Sequence, residues 1–189
     1  MKHFNRIVLW CSGLMLFMFW MLPVGALERM PVQRLDLQAK LLRAVIKFST
    51  QQLDRLVVGV IYVQDAENIA RDFAEELEKL THNNHPIQVV LIPAETLDSL
   101  DEAINVLYVS PGSALYLDAI ADLSEEREIF SSTGIPEYVE QKKIALGFGE
   151  YEGKSQIILC LPTAQSTGHD FKNPRFLNLQ TTGKLILIK

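Results

Sequence analysis

The chain has 189 residues, of which 18 are basic and 23 acidic, giving a net charge of −5, and only two are cysteine. A chain of this size buries enough apolar surface to fold as one domain without a disulfide or a metal. Its acidic balance excludes a nucleic-acid binder, and its cysteine count excludes a disulfide scaffold.

Residues 1–26 read as an export signal. Lys2, His3 and Arg6 precede an apolar run from Ile7 to Leu22, and Pro23-Val24-Gly25-Ala26 places small residues before a cut after Ala26. An uncleaved anchor is the rival reading, because Ile7 to Ala26 approaches the roughly 20 apolar residues that span a bilayer. Either way, residues 27–189 are expected in the periplasm as a single α/β domain. Removing residues 1–26 takes away Lys2, Arg6 and Cys11, so 16 basic residues face 23 acidic ones and Cys160 is the sole cysteine. An internal disulfide is then impossible.

Leu35 to Phe48 has helical spacing, with Leu35, Ala39, Leu42 and Ile46 on one face and Asp36, Lys40, Arg43 and Lys47 opposite. On an acidic protein, Lys40, Arg43 and Lys47 form a basic stripe suited either to an anionic partner or simply to solvent. Leu56 to Val63 is a near-continuous apolar run of the kind buried on both sides of a parallel sheet. A helix follows, with Asp65 as its cap and Ile69, Phe73, Leu77 and Leu80 as its buried stripe. His82 to Pro86 is a turn, Ile87 to Ile92 a second strand stopped by Pro93, and Leu97 to Ala103 a short helix.

Val106 to Val109 is a third strand, ending in Ser110-Pro111-Gly112-Ser113, and Ala114 to Arg127 is the next helix. Three successive strand-then-helix units predict right-handed crossovers and a largely parallel sheet flanked by helices on both faces. Ile129 to Ser131 is a short fourth strand and Pro136 to Gln141 one or two helical turns. Ile144–Glu150 and Ser155–Leu161 flank Tyr151-Glu152-Gly153-Lys154, so the sheet is expected to end in an antiparallel hairpin. Leu185 to Ile188 is a terminal strand or helix end.

Few residues carry chemistry. Gly147, Gly149 and Gly153 lie along a strand and in a turn rather than between a strand and a helix N-terminus, so they leave a flat face for close packing and are not a phosphate loop. His82 and His85 have a metal-like spacing, but no cysteine or carboxylate stands beside them at ligand distance, and no metal site is predicted. Cys160 sits in an apolar run and reads as a buried hydrophobe. No Gly-x-Ser-x-Gly elbow is present and no nucleophile has a recognisable base, so neither an enzyme nor a cofactor is expected. A parallel sheet binds ligands beyond the C-terminal ends of its strands, which directs attention to Gln64, Asp65, Pro93, Ser110, Gly112, Ser113 and Ser131 to Thr133. Ser113 can alternatively cap the next helix. Within that helix Leu115, Tyr116 and Ala119 belong to an apolar surface too wide for one sheet face, so that either a neighbouring helix covers the rest or a partner does, such as the second subunit of a homodimer.

Several segments together carry a resemblance: the helix LQAKLLRAVIKFS, the strand VVGVIYV, the unit NVLYVSPG with ALYLDAIADL, and the hairpin IALGFGEYEGKSQIILCL. Over about residues 35–180 the chain resembles the YfiR family of small periplasmic proteins. That resemblance implies a flat α/β sandwich that dimerises. It also implies a repressor that holds an inner-membrane diguanylate cyclase inactive through the cyclase's periplasmic sensor region. Where the family often has Trp-Pro after the first helix, this chain has Ser49-Thr50-Gln51. The competing expectation is a periplasmic small-molecule binding protein associated with transport, using the crevice near Ser110.

Overall fold

In the computed structural model, residues 34–151 and 154–189 are described. The export signal and the tip of the hairpin therefore lie outside the described residues. Among the described residues seven strands form one sheet, in the order β4 (Gln88–Pro93), β1 (Val57–Tyr62), β5 (Val106–Val109), β6 (Phe130–Thr133), β7 (Leu146–Tyr151), β8 (Lys154–Cys160) and β9 (Leu185–Ile188), in which every neighbouring pair is parallel except β7 with β8.

Helix α1 (Leu35–Ile46) buries Gln38, Ala39, Leu42, Val45 and Ile46. It leads to β1 (Val57–Tyr62), and α2 (Glu67–Glu78) carries the chain to the edge strand β4 (Gln88–Pro93). Phe73 of α2 stacks on Tyr108, ring centroids 3.6 Å apart, fixing this helix to the sheet. Each such fully buried side chain contributes about 1.5–3 kcal/mol. Asp65 does not cap α2. A 3-10 turn over Gln64–Ala66 leads into the helix without a side-chain cap, and Asp65 is exposed.

The expected turn at His82–Pro86 is a small hairpin of β2 (Thr81–His82) and β3 (His85–Pro86). Asn83 and Asn84 both have positive φ, 50° and 66°, the geometry that a two-residue hairpin turn demands and asparagine tolerates. The short helix expected at Leu97–Ala103 lies earlier, as a 3-10 segment over Ala94–Ser99. The Thr96 hydroxyl donates to Pro93 O at 2.9 Å and draws the turn back against the strand end.

β5 (Val106–Val109) is buried throughout. The helix expected over Ala114–Arg127 divides into a 3-10 turn, Ser113–Tyr116, and α3 (Leu117–Glu126). The fourth strand, β6, spans Phe130–Thr133, two residues beyond the expected end, because Ser132 and Thr133 hydrogen-bond to Leu107 and Val109 of β5. A helical turn, α4 (Pro136–Glu140), precedes β7 (Leu146–Tyr151), which pairs antiparallel with β8 (Lys154–Cys160). Two short helices, α5 (Leu161–Ser166) and α6 (Pro174–Leu177), then return the chain to β9 (Leu185–Ile188), parallel to β8.

The core has two halves. α1, α2 and the segment carrying Phe171 and Phe176 cover the face presented by Val58, Val60 and Tyr108. α3, α4 and the 3-10 segments cover the face presented by Val57, Ile61, Leu107 and Val109. The flat side of β7 is filled by α4, for a Cβ on Gly147 would meet Val139 Cγ2 at 2.7 Å. Ile144 does not continue the Leu146 and Phe148 face as alternation from residue 144 implies, because the strand begins only at Leu146.

Candidate functional site

The connections decide where a crevice forms. From β1 the chain crosses to β4 on one side and returns to β5 on the other, so consecutive connections part between the C-terminal ends of β1 and β5. In open parallel sheets this divergence is where ligands bind. After β1 come Gln64 and Asp65, both exposed; after β5 come Ser110 to Ser113.

Ser110 and Ser113 are fully buried, and neither hydroxyl has a hydrogen-bond partner among the described residues. The Ser110 amide continues the ladder by donating to Ile61 O at 2.9 Å. Gly112, between the serines, adopts the left-handed conformation, φ 84° and ψ −6°, and is exposed. Ser113 does not cap the following helix. The 3-10 turn after Gly112 has no side-chain cap, which leaves the Ser113 hydroxyl unused.

The contrast with β6 gives this meaning. Ser131, Ser132 and Thr133 are equally buried, yet every hydroxyl is employed. Ser131 Oγ accepts from Ala145 N at 3.0 Å, and Ser132 Oγ donates to Leu107 O at 2.9 Å. Thr133 Oγ1 donates to Val109 O at 2.8 Å and accepts from Ile135 N at 3.1 Å. Buried polar groups are normally satisfied in this way, and each one left unsatisfied costs about 1–3 kcal/mol. Ser131 to Thr133 are thus spent on the fold, while Ser110 and Ser113 keep their capacity. Ser124 is a third buried hydroxyl without a partner, but it lies within α3, away from the strand ends.

A second polar cluster was not anticipated. Tyr108 hydroxyl donates to Gln38 Oε1 at 2.7 Å and accepts from the Gly134 amide. Burial pushes the phenol pKa well above its usual value, so the hydroxyl stays protonated as a donor. This cluster ties the first turn of α1 to the end of β6. Its trace in the sequence is a glutamine at position 38, on the apolar face three residues from Leu35.

The basic stripe is divided by its contacts. Lys40 pairs with Asp36 at 3.1 Å; Arg43 is half-buried and donates to Thr81 O at 3.3 Å; Lys47 is exposed. Arg34 and Lys40 hold the Asp36 carboxyl down to about 2. On the opposite sheet face, α3 buries Leu117 and Ile120, Tyr116 is half-buried with its hydroxyl 3.3 Å from Glu95, and Ala119 is exposed. Leu115, on the 3-10 turn immediately after Ser113, is 92% exposed. Because α1 and α3 lie on opposite faces, Lys40, Arg43 and Lys47 do not form one surface with Leu115, Tyr116 and Ala119.

His82 and His85 also part company. His82 is buried and its Nε2 lies 3.0 Å from Leu53 O, whereas His85 is exposed. Among the described residues no group of three or more His, Cys, Asp or Glu is placed to hold a metal, and no helix is long and apolar enough to cross a membrane. Cys160 is buried and accepts a hydrogen bond from the Thr163 hydroxyl at 3.1 Å.

No family model matches the chain, and no curated protein matches its sequence. Solved structures do share its fold. A conserved domain protein from Vibrio cholerae superimposes with a TM-score of 0.61 at 12% identity, over 82% of this chain and 60% of that one. CD0873, a substrate binding protein with adhesive properties from Clostridium difficile, in its ligand-free open form, gives 0.55 at 16% identity over 79% and 58%. An ABC domain in complex with L-Trp from Streptococcus pneumoniae gives 0.58 at 10% identity over 82% and 60%. The chain thus shares an α/β fold with these structures, and the superposition spans about 60% of their length.

Proposed function

We propose that this is an extracytoplasmic binding protein that takes a small polar ligand at the divergence of β1 and β5 and performs no chemistry on it. The observation that carries the reading is the pair of buried, unpartnered hydroxyls of Ser110 and Ser113 around the left-handed Gly112, in a fold where the three buried hydroxyls of β6 are all engaged. A ligand that hydrogen-bonds both serines recovers what the empty site leaves unmade. Periplasmic binding proteins close a second body over such a crevice. Leu115, exposed beside Ser113, is placed to meet whatever closes over this one. Thermal-shift screening with small polar metabolites tests the reading. Binders are expected to raise the melting temperature of the native protein and to lose their effect in Ser110→Ala/Ser113→Ala. Binding that is indifferent to both serines defeats it.

Exposed Leu115 and the resemblance to the YfiR family support a second reading, in which the closing body is the periplasmic sensor region of an inner-membrane diguanylate cyclase and the protein is its repressor, acting as a homodimer. Deleting the protein then raises cellular cyclic di-GMP only when the cyclase is present, and Leu115→Glu reproduces the deletion without unfolding the protein. Unchanged cyclic di-GMP in cells that normally express the protein removes this reading and leaves the ligand-binding one standing.

A further inference from the structure

At the opposite pole of the sheet, where α1 ends and the β2–β3 hairpin begins, lies a pocket of about 220 Å³ lined by Ile46, Lys47, Ser49, Gln51, His82 and Asn83, among others. Two of its lining groups are unsatisfied. His82 is only 3% exposed, and its Nδ1 has no partner among the described residues; Gln51 Oε1 has none either.

The hydrogen bonds on the far side of the ring determine what this pocket presents. His82 Nε2 lies 3.0 Å from Leu53 O, and Asn83 Nδ2 donates to the same oxygen at 3.0 Å. A carbonyl can only accept, so Nε2 carries the ring proton and, in the neutral ring, Nδ1 is left as a lone pair. The amide oxygen of Gln51 is a second acceptor. The pocket therefore has two buried acceptors waiting for N–H or O–H groups, with Lys47 on its wall. One helical turn back, Arg43 donates to Thr81 O, and its Nε is likewise buried and unpartnered.

Donors for two acceptors beside an anion for a cation are what a small α-amino acid offers on adjacent atoms. We propose that this pocket binds such an acid, its ammonium hydrogens on His82 Nδ1 and Gln51 Oε1 and its carboxylate on Lys47. The site is separate from the Ser110 crevice and stands without it.

Titration calorimetry on the intact domain tests it with glycine, using acetate and ethanolamine as controls that each lack one of the two functions. The expectation is binding of glycine, at least about tenfold weaker for both controls and for Gln51→Leu and Lys47→Ala, since loss of one charge-assisted or buried hydrogen bond is worth about that factor. Both substitutions lie outside the strands, so the variants should fold, and nitrogen NMR of His82 gives an independent readout. Nδ1 should change from a free lone pair to a hydrogen-bonded one when ligand is added. The proposal is overturned if glycine does not bind, if the His82 Nδ1 signal is unmoved by bound glycine, or if binding is lost in Ser110→Ala/Ser113→Ala and kept in Gln51→Leu. The last outcome would place the ligand in the strand-end crevice and uphold the first reading of the proposed function.

Discussion

Tyr108 and Gln38, 70 positions apart, meet in the core through a 2.7 Å hydrogen bond from the phenol to the Gln38 amide oxygen. Both side chains are almost fully buried, so this contact fixes α1 over the sheet in one register. Tyr108→Phe leaves the Gln38 oxygen and the Gly134 amide without their partner and should cost about 1–3 kcal/mol in urea denaturation. Gln38→Leu combined with Tyr108→Phe should cost less than the two single changes added, because the double variant no longer strands the Gln38 acceptor. Simple additivity would mean that the pair does not act as a unit.

A methyl group at position 147 should be destabilising even though alanine suits most strands better than glycine. The Cβ of Gly147→Ala would lie 2.7 Å from Val139 Cγ2, and a β-branched side chain has no flexible end to swing away. Overpacking of this kind costs about 1–3 kcal/mol. Adding Val139→Ala should restore part of the loss in a thermal melt, whereas an equal or deeper loss would show that the backbone of β7, and not α4, is what resists.

His169 makes stability depend on pH. It is 1% exposed, donates from Nδ1 to Thr167 O at 2.7 Å, packs against Phe130, and has no partner for Nε2 among the described residues. Desolvation lowers its pKa below the usual 6.5, outweighing the Thr167 carbonyl and nearby Glu128, which act in the opposite direction. The unfolded chain therefore binds the proton more readily than the folded one. The stability contribution is present above about pH 6.5 and is lost as pH falls through the lowered folded value. The Asp36 carboxyl, held near 2, titrates well below this window. Denaturation midpoints measured from about pH 7.5 to about 5 should fall in the native protein and fall less in His169→Leu. Identical slopes in the two proteins would acquit His169.

Cys160 should resist thiol reagents in the folded state. It is completely buried, and the Thr163 hydroxyl donates to its sulfur. Modification is then limited by opening of the structure, so labelling should be slow in buffer and rapid in denaturant. Fast labelling in buffer would mean that the end of β8 opens on its own.

Much of the fold is legible in the sequence because it rests on local signals. Apolar β-branched runs such as Leu56 to Val63 and Val106 to Val109, each followed by helical spacing, predict a parallel sheet whatever lies further along the chain, since a strand buried on both faces needs little else to mark it. The closing hairpin is equally local. The helix boundaries after residues 65, 96 and 113 are not, because 3-10 turns there are decided by how the chain leaves a strand already held by its neighbours, and propensity at Asp65 or Ser113 is overridden. The candidate sites divide the same way. Ser110 and Ser113 can be picked out as residues beyond a strand end, but seven polar residues around the strand ends look alike in sequence, and only the sheet order and the hydrogen-bond ledger separate Ser131, Ser132 and Thr133, which are engaged, from the two serines that are not. Lys40, Arg43 and Lys47 share a helix face in sequence, yet Arg43 is drawn in by a hairpin carbonyl 38 residues away. His82 and His85 look equivalent until the two-residue turn sends one inward and the other to solvent. Periodicity along the chain determines which elements form, because it depends on neighbours a few residues apart. Which polar groups are satisfied depends on partners brought together from distant positions, and that is decided only when the sheet is assembled.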